Sequence, residues 1–266
     1  MVNLKSFKVS RKDSDSLFIE WEVSPTLEDL SIYTISLFKS EAPSELDNEY
    51  EPVVSDLPID TPYYTDMSVK GLLSSTRSWY FYAKIKNSET LEESKFPVNG
   101  YRFVNDEAPS IQWKAILREK KLVLNKKSGR DFVLLKKRTW GTRCEVSWDP
   151  ILFVNNGKIC DDCTCFGTGW REGYFKPQTF RGMIQPSPNQ KTLQLWGEFY
   201  PSDVFLFTTN IPPLTVGDII VDPKTNERYE IQMVRQVSAL GVPFEQQARL
   251  SLVHLDDEIY SVEAYD

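Results

Sequence analysis

The chain has 266 residues, a net charge of −7 and an isoelectric point near 5.0. That acidity argues against a protein that coats nucleic acid, which needs a basic surface to displace counterions. Hydrophobic residues make up 41%, charged residues 26% and aromatics 13%, enough for one large domain or two modest ones with real cores. The N-terminus lacks an apolar run of signal-peptide length, and no stretch reaches the roughly 20 apolar residues that span a bilayer. A soluble, cytosol-made protein with no membrane partner is expected.

Residues 1–104 read as β. Leu17, Ile19, Trp21 and Val23 alternate with Glu20 and Glu22, the period-2 pattern of a half-buried strand. Ser31–Phe38, Tyr63–Val69 and Trp79–Ile85 are further strands, the third of these four the weakest, separated by polar and Pro-containing stretches. An antiparallel sandwich is expected. Trp21 in an early strand, then IYTISLFKSE, YYTDMSV and WYFYAKIKN, resembles a fibronectin type III or related immunoglobulin-like domain over about the first 100 residues.

Residues 105–130 predict a connecting helix between Pro109-Ser110 and a Gly129 C-cap, with Ile111, Trp113, Ile116, Leu117 and Leu124 partly at helical spacing. It is basic: Lys114, Arg118, Lys120, Lys121, Lys126 and Lys127. A solvated face explains such a run; a contact with an acidic partner or DNA is the other reading. Asp131–Leu135 reads as a strand. From Phe180 onward FRGMIQ, LQLWGEF, DVFLFTT, DIIVD, RYEIQMVRQV and ARLSLVHL are strand candidates, and Asp222–Glu227 is a hairpin turn. Many short strands predict a small barrel or sandwich. The expected fold is therefore mainly β: residues 1–104 a sandwich, 105–130 a linker helix, and 131–266 a barrel domain with a Cys-rich insertion at 144–177.

All four cysteines, Cys144, Cys160, Cys163 and Cys165, lie within 22 consecutive residues. In a reducing compartment such a cluster points to metal rather than to disulfides. Two residues between Cys160 and Cys163 let both sulfurs turn inward, and structural zinc takes four thiolates. The spacing departs from paired Cys-x-x-Cys: Ser147 stands where a second thiol after Cys144 would be, and Cys165 as a ligand requires a turn at Thr164. Three cysteines with another ligand, free thiols and disulfides remain alternatives. A segment rich in turn residues cannot offset its chain entropy by burial, whereas structural zinc supplies on the order of 10 kcal/mol. Stacking by Trp148, Phe166 and Trp170 would add to it.

The string Trp148-Asp149-Pro150, Cys160, Cys163, Cys165-Phe166-Gly167-Thr168-Gly169-Trp170, Gly173-Tyr174 and Pro177, with Cys144 before it, resembles a segment of tailed-phage neck proteins, the head-to-tail connector or head-completion proteins. The C-terminal text from Val216 to Ser261 resembles the small β-barrel of such proteins. The likeness covers roughly residues 130–262 and departs from the pattern at Ser147 and in the shortened Cys163-x-Cys165. It implies a structural virion protein, assembled in the host cytoplasm. Many copies would form a homo-oligomer ring in the neck, touching portal or adaptor and tail proteins, with a possible contact to packaged DNA.

No enzyme is expected. His254 is the only histidine, which removes most acid–base and metallohydrolase schemes. Gly167-Thr168-Gly169 lacks the Lys-Ser/Thr of a phosphate loop, and no Gly-x-Ser-x-Gly elbow occurs. The rival functions are an adhesin-like virion or cell-surface binding module with a structural zinc site, and a zinc ribbon acting on nucleic acid.

Overall fold

The computed structural model describes residues 2–11, 16–26, 28–41, 50–67, 78–104, 111–158, 160, 164–185, 204–239 and 242–264. The fold is mainly β, and the chain forms two compact units. The first comprises Met1–Pro109 and Arg138–Phe175, the second Ser110–Lys137 and Lys176–Asp266.

In the first unit, β1 (Leu4–Arg11), β2 (Leu17–Val23), β3 (Tyr33–Ser40), β4 (Glu51–Pro58), β5 (Tyr63–Asp66), β6 (Ser78–Asn87) and β7 (Glu93–Val104) make two antiparallel sheets. Their orders are β1-β2-β5 and β4-β3-β6-β7. Val9, Ile19 and Trp21 from one sheet and Ile35, Leu37 and Phe81 from the other share one core. The Trp21 indole N–H donates to the Ile59 carbonyl at 3.2 Å, so the ring's one polar atom is not stranded inside. The four strands read from periodicity are present, though residues 68 and 69 lie outside the described residues.

Three further strands escaped the period-2 reading. A register shift between Leu4 and Ser6 breaks the alternation of β1. Strands β4 and β7 carry Pro52, Pro58 and Pro97 and lie at the two edges of their sheet. An edge is where proline, lacking an N–H, is tolerated.

Residues 138–175, expected as part of the C-terminal domain, pack instead with the sandwich. Trp140 and Phe175 enter the sandwich core, their ring centroids 4.9 Å apart. Thr142 bridges to Thr26, and its hydroxyl donates to the Glu28 carbonyl at 2.9 Å. A short ribbon, β9 (Trp148–Asp149) with β10 (Val154–Asn155), projects from this segment.

The second unit is a closed six-stranded barrel. β8 (Arg130–Leu135), β11 (Gln178–Gln185), β12 (Val204–Thr209), β13 (Ile219–Val221), β14 (Arg228–Ala239) and β15 (Val242–Leu252) close in the order β11-β12-β15-β14-β13-β8. Phe132, Leu134, Leu206, Ile220, Ile231 and Leu250 fill it. The LQLWGEF stretch lies outside the described residues. Helix α1 (Ile111–Leu122) runs into a π-turn at Val123–Lys127. Expected as a linker, it belongs to the barrel unit: Ile116 and Leu117 pack on Val237 and Phe244 of the β14–β15 hairpin. Gly129 serves not as a left-handed cap but as a close approach, since a Cβ there would sit 2.0 Å from the Leu124 carbonyl oxygen.

Asp218 organises the turn into β13. Fully buried, it accepts from the backbone N–H groups of Lys137 (2.9 Å) and Thr215 (2.8 Å) and from the Thr215 hydroxyl (2.9 Å), with the Lys136 ammonium at 3.5 Å. Burial pushes its carboxyl above the usual range, against the opposing pull of Lys136 and these donors. Asp218→Ala takes the shared acceptor from three part-buried donors, the Lys137 and Thr215 N–H groups and the Thr215 hydroxyl, and each group so left costs about 1 kcal/mol where water can reach it. Urea unfolding of this variant is expected to show a loss of roughly 3 kcal/mol or more.

Candidate metal centre

The cysteine cluster begins with an antiparallel contact inside residues 138–175. Arg143 bridges to Trp170, the Cys144 N–H donates to the Gly169 carbonyl (3.1 Å), and the Arg171 N–H donates to the Thr142 carbonyl (2.9 Å). The chain after Cys144 turns back at once, its carbonyl accepting from the Trp148 N–H at 3.0 Å. These two closures bring Cys144 beside Cys165. Cys144, Cys160 and Cys165 are all buried, and their sulfurs lie within 4.8 Å of one another.

Three sulfurs this close are close enough to bind a metal ion. Zinc–sulfur bonds of about 2.3 Å in a tetrahedron set sulfurs roughly 3.8 Å apart, a spacing the cluster accommodates. Cys163, the remaining sequence candidate, lies outside the described residues. Ser147, at the position expected for a second thiol after Cys144, is fully buried, and its hydroxyl has no hydrogen-bond partner among the described residues. A buried hydroxyl left in that state costs on the order of 1–3 kcal/mol.

The backbone around the sulfurs is strained. Thr164, Phe166 and Glu172 have φ of 46°, 47° and 62°, and Gly167, Gly169 and Gly173 are also left-handed. Thr164, where the spacing called for a turn, has a left-handed φ that β-branched residues avoid; Cys163 on its other side lies outside the described residues. At Gly173 a Cβ would meet the Cys165 carbonyl oxygen at 2.8 Å, so only glycine fits. The Thr168 hydroxyl donates to the Cys165 carbonyl (2.8 Å), as does its N–H (2.9 Å). The Gly-Thr-Gly string thus builds the loop that presents Cys165, and it is not an anion cradle. Strain of this kind persists where surrounding contacts over-determine it.

Two arginines hold the loop, and one of them, Arg138, belongs to the basic run Lys136-Lys137-Arg138 that the sequence offered for a contact with DNA or an acidic neighbour. The Arg143 guanidinium lies between the Trp148 and Trp170 rings, 3.5 and 3.4 Å from their centroids, where burial lowers its pKa. Such a stack contributes about 2 kcal/mol where water is excluded. The third aromatic expected to stack, Phe166, tilts against Tyr174 at 6.1 Å. Arg138 is buried and pairs in a fork with Asp60 on the sandwich. One of its nitrogens also donates to Glu172 at 2.5 Å, and another to the Tyr174 carbonyl at 3.1 Å. Sequence reading missed this clamp, because Asp60 lies 78 positions away in sequence.

His254 is exposed beside Asp256. Among the described residues no helix is long and apolar enough to cross a membrane. Neither a protein-family model nor a curated protein matches the chain.

Elemental analysis of purified protein is expected to find close to one divalent ion per chain, and Cys144→Ser or Cys165→Ser to lose most of it. Thr164→Asn, which suits a left-handed φ without the entropy cost of glycine, is expected to raise stability by up to about 1 kcal/mol. Thermal unfolding with and without a chelator reads both effects.

Proposed function

We propose that the chain is a structural protein of a tailed-phage virion, present as a ring of copies in the neck between portal and tail. One observation carries this reading. The most distinctive part of the resemblance, Cys165-Phe166-Gly167-Thr168-Gly169-Trp170 with Gly173-Tyr174, is the stretch that shapes the cysteine cluster. The rest of the resemblance, Val216 to Ser261, supplies three of the six barrel strands. A neck ring needs rigid modules and interfaces, not a reactive group. The proposed ion is zinc, bound by Cys144, Cys160, Cys163 and Cys165 in a structural role that suits a closed thiolate set. Portal or adaptor and tail proteins are the proposed partners. The basic face of α1, with Arg118, Lys120 and Lys121 exposed, is the candidate for a contact with packaged DNA or an acidic neighbour.

The seven-stranded N-terminal sandwich favours a second reading, an adhesin-like module in which the same zinc site is structural. Electron micrographs of particles assembled without this chain separate the two. Heads without tails are expected from the neck reading. Complete particles that attach poorly would overturn it in favour of the second.

A further inference from the structure

The β9–β10 ribbon ends in the longest exposed apolar stretch of the described residues. Ile151, Leu152, Phe153 and Val154 are 84%, 68%, 75% and 49% exposed, and Val146 beside them is 48% exposed. Scattered exposed apolar residues are ordinary; four in a row on a projecting tip are not. The tip is also held rigid. The Asp149 carboxylate accepts from the N–H groups of Ile151 (2.8 Å) and Leu152 (3.0 Å), which holds its pKa below the usual range. The Asn156 N–H donates to the Ser147 carbonyl at 2.9 Å, so the ribbon is tied to the turn that follows Cys144. A rigid apolar tip loses little entropy when it docks.

The barrel unit carries a recess of matching chemistry. Val123 and Leu124 of the π-turn, Met183 and Phe207 of β11 and β12, and Phe244 of β15 line it. Lys120 lines it too, paired with Glu245 at 2.5 Å. Arg118, Lys121 and Lys126 are exposed on the same helix and π-turn. The tip has the opposite sign, with exposed Glu145 and the Asp149 carboxylate at its base. Carboxylates at the base of the tip disfavour insertion into an anionic bilayer, whereas they complement a basic rim.

We propose that the Ile151–Val154 tip of one copy seats in the recess between the α1 π-turn and the β11–β12–β15 face of a second copy. Tip and recess are different surfaces, so the contact is heterologous and leaves the pair one free tip on one copy and one free recess on the other, the condition for a ring or a filament. It would supply the subunit contact of the proposed neck ring, yet it does not rest on a phage role.

The test uses the full chain in solution, metal-loaded. Light scattering after size exclusion, from about 1 to 200 µM, is expected to show a mass that rises with concentration beyond a dimer. Phe153→Asp changes an exposed side chain at φ 55°, which Asp tolerates, and is expected to weaken association at least tenfold. Met183→Glu blocks the recess and is expected to do the same. Mixed one to one, the two variants are expected to form a heterodimer that grows no further, because each retains the half the other lacks. A benzoylphenylalanine at position 153, which leaves the recess untouched, is expected to crosslink to residues 120–124, 183, 207 or 244 of another copy. A wild-type chain monomeric throughout, Phe153→Asp assembling like wild type, crosslinks confined to one chain, or Phe153-dependent binding to phosphatidylglycerol vesicles would each overturn the proposal. None of those results alters whether heads lacking the chain acquire tails, so the two readings fail separately.

Discussion

Residues 138–175 contain few aliphatic side chains that reach a core and many that make turns, so the segment cannot hold a shape by its own burial. Two ties from outside its turns make it solid. One is Arg138, buried with its guanidinium forked onto Asp60, bonded to Glu172 and the Tyr174 carbonyl, and lying over the Phe175 ring at 4.9 Å. A buried cation is costly unless its donors are matched and its charge opposed, and here two carboxylates and a carbonyl take four of its hydrogen bonds and oppose the charge. Trp140 and Phe175 flank that clamp and add apolar area to the sandwich core. The other tie is the cysteine cluster, where three buried sulfurs converge from positions 144, 160 and 165.

The two ties act on different parts of the loop. Arg138 fixes the ends, where the chain enters at Trp140 and leaves at Phe175. The sulfurs converge in the middle, where Thr164, Phe166 and Gly167 hold left-handed angles. A sulfur-bound ion would offset that strain, since ligand convergence rewards only the strained path. Between the ties Arg143, held by the rings of Trp148 and Trp170, spans the contact that carries Cys144. The β9–β10 ribbon grows from the same contact. The ribbon and the cluster thus share one base, the Asn156 N–H donating to the Ser147 carbonyl in the turn after Cys144.

Much of the fold was legible in the sequence because it follows from periodicity. Leu17–Val23 and Trp79–Ile85 alternate cleanly and are central strands, and the DIIVD and RYEIQMV segments flank a turn in which Asn226 has φ 57°. What stayed hidden obeyed other rules. Strand β1 hid behind a bulge and β4 and β7 behind edge prolines, features that oppose local pattern and are decided by tertiary position. The cluster showed through its cysteines, three of which the fold brings together. The clamping roles of Arg138 and Arg143 did not show, because they depend on partners brought together only by folding. The assignment of residues 138–175 was unreadable for the same reason: it turns on Trp140 and Phe175, and an aromatic residue does not announce which core it enters.

Sequence order and spatial membership therefore part company at one place, and the barrel shows why this is tolerated. Strands β8 and β11, on either side of the excursion, pair antiparallel, with Leu134 opposite Gln178 and Phe132 opposite Phe180. To the barrel the whole Cys-rich segment is the loop of a hairpin. Loop-closure entropy grows only with the logarithm of loop length, so a long excursion costs the barrel little more than a short one. The excursion, in turn, brings its own anchors and draws its stability from the sandwich. The hairpin of β8 and β11 thus tolerates an insertion whose aromatic anchors, Trp140 and Phe175, lie in the sandwich core.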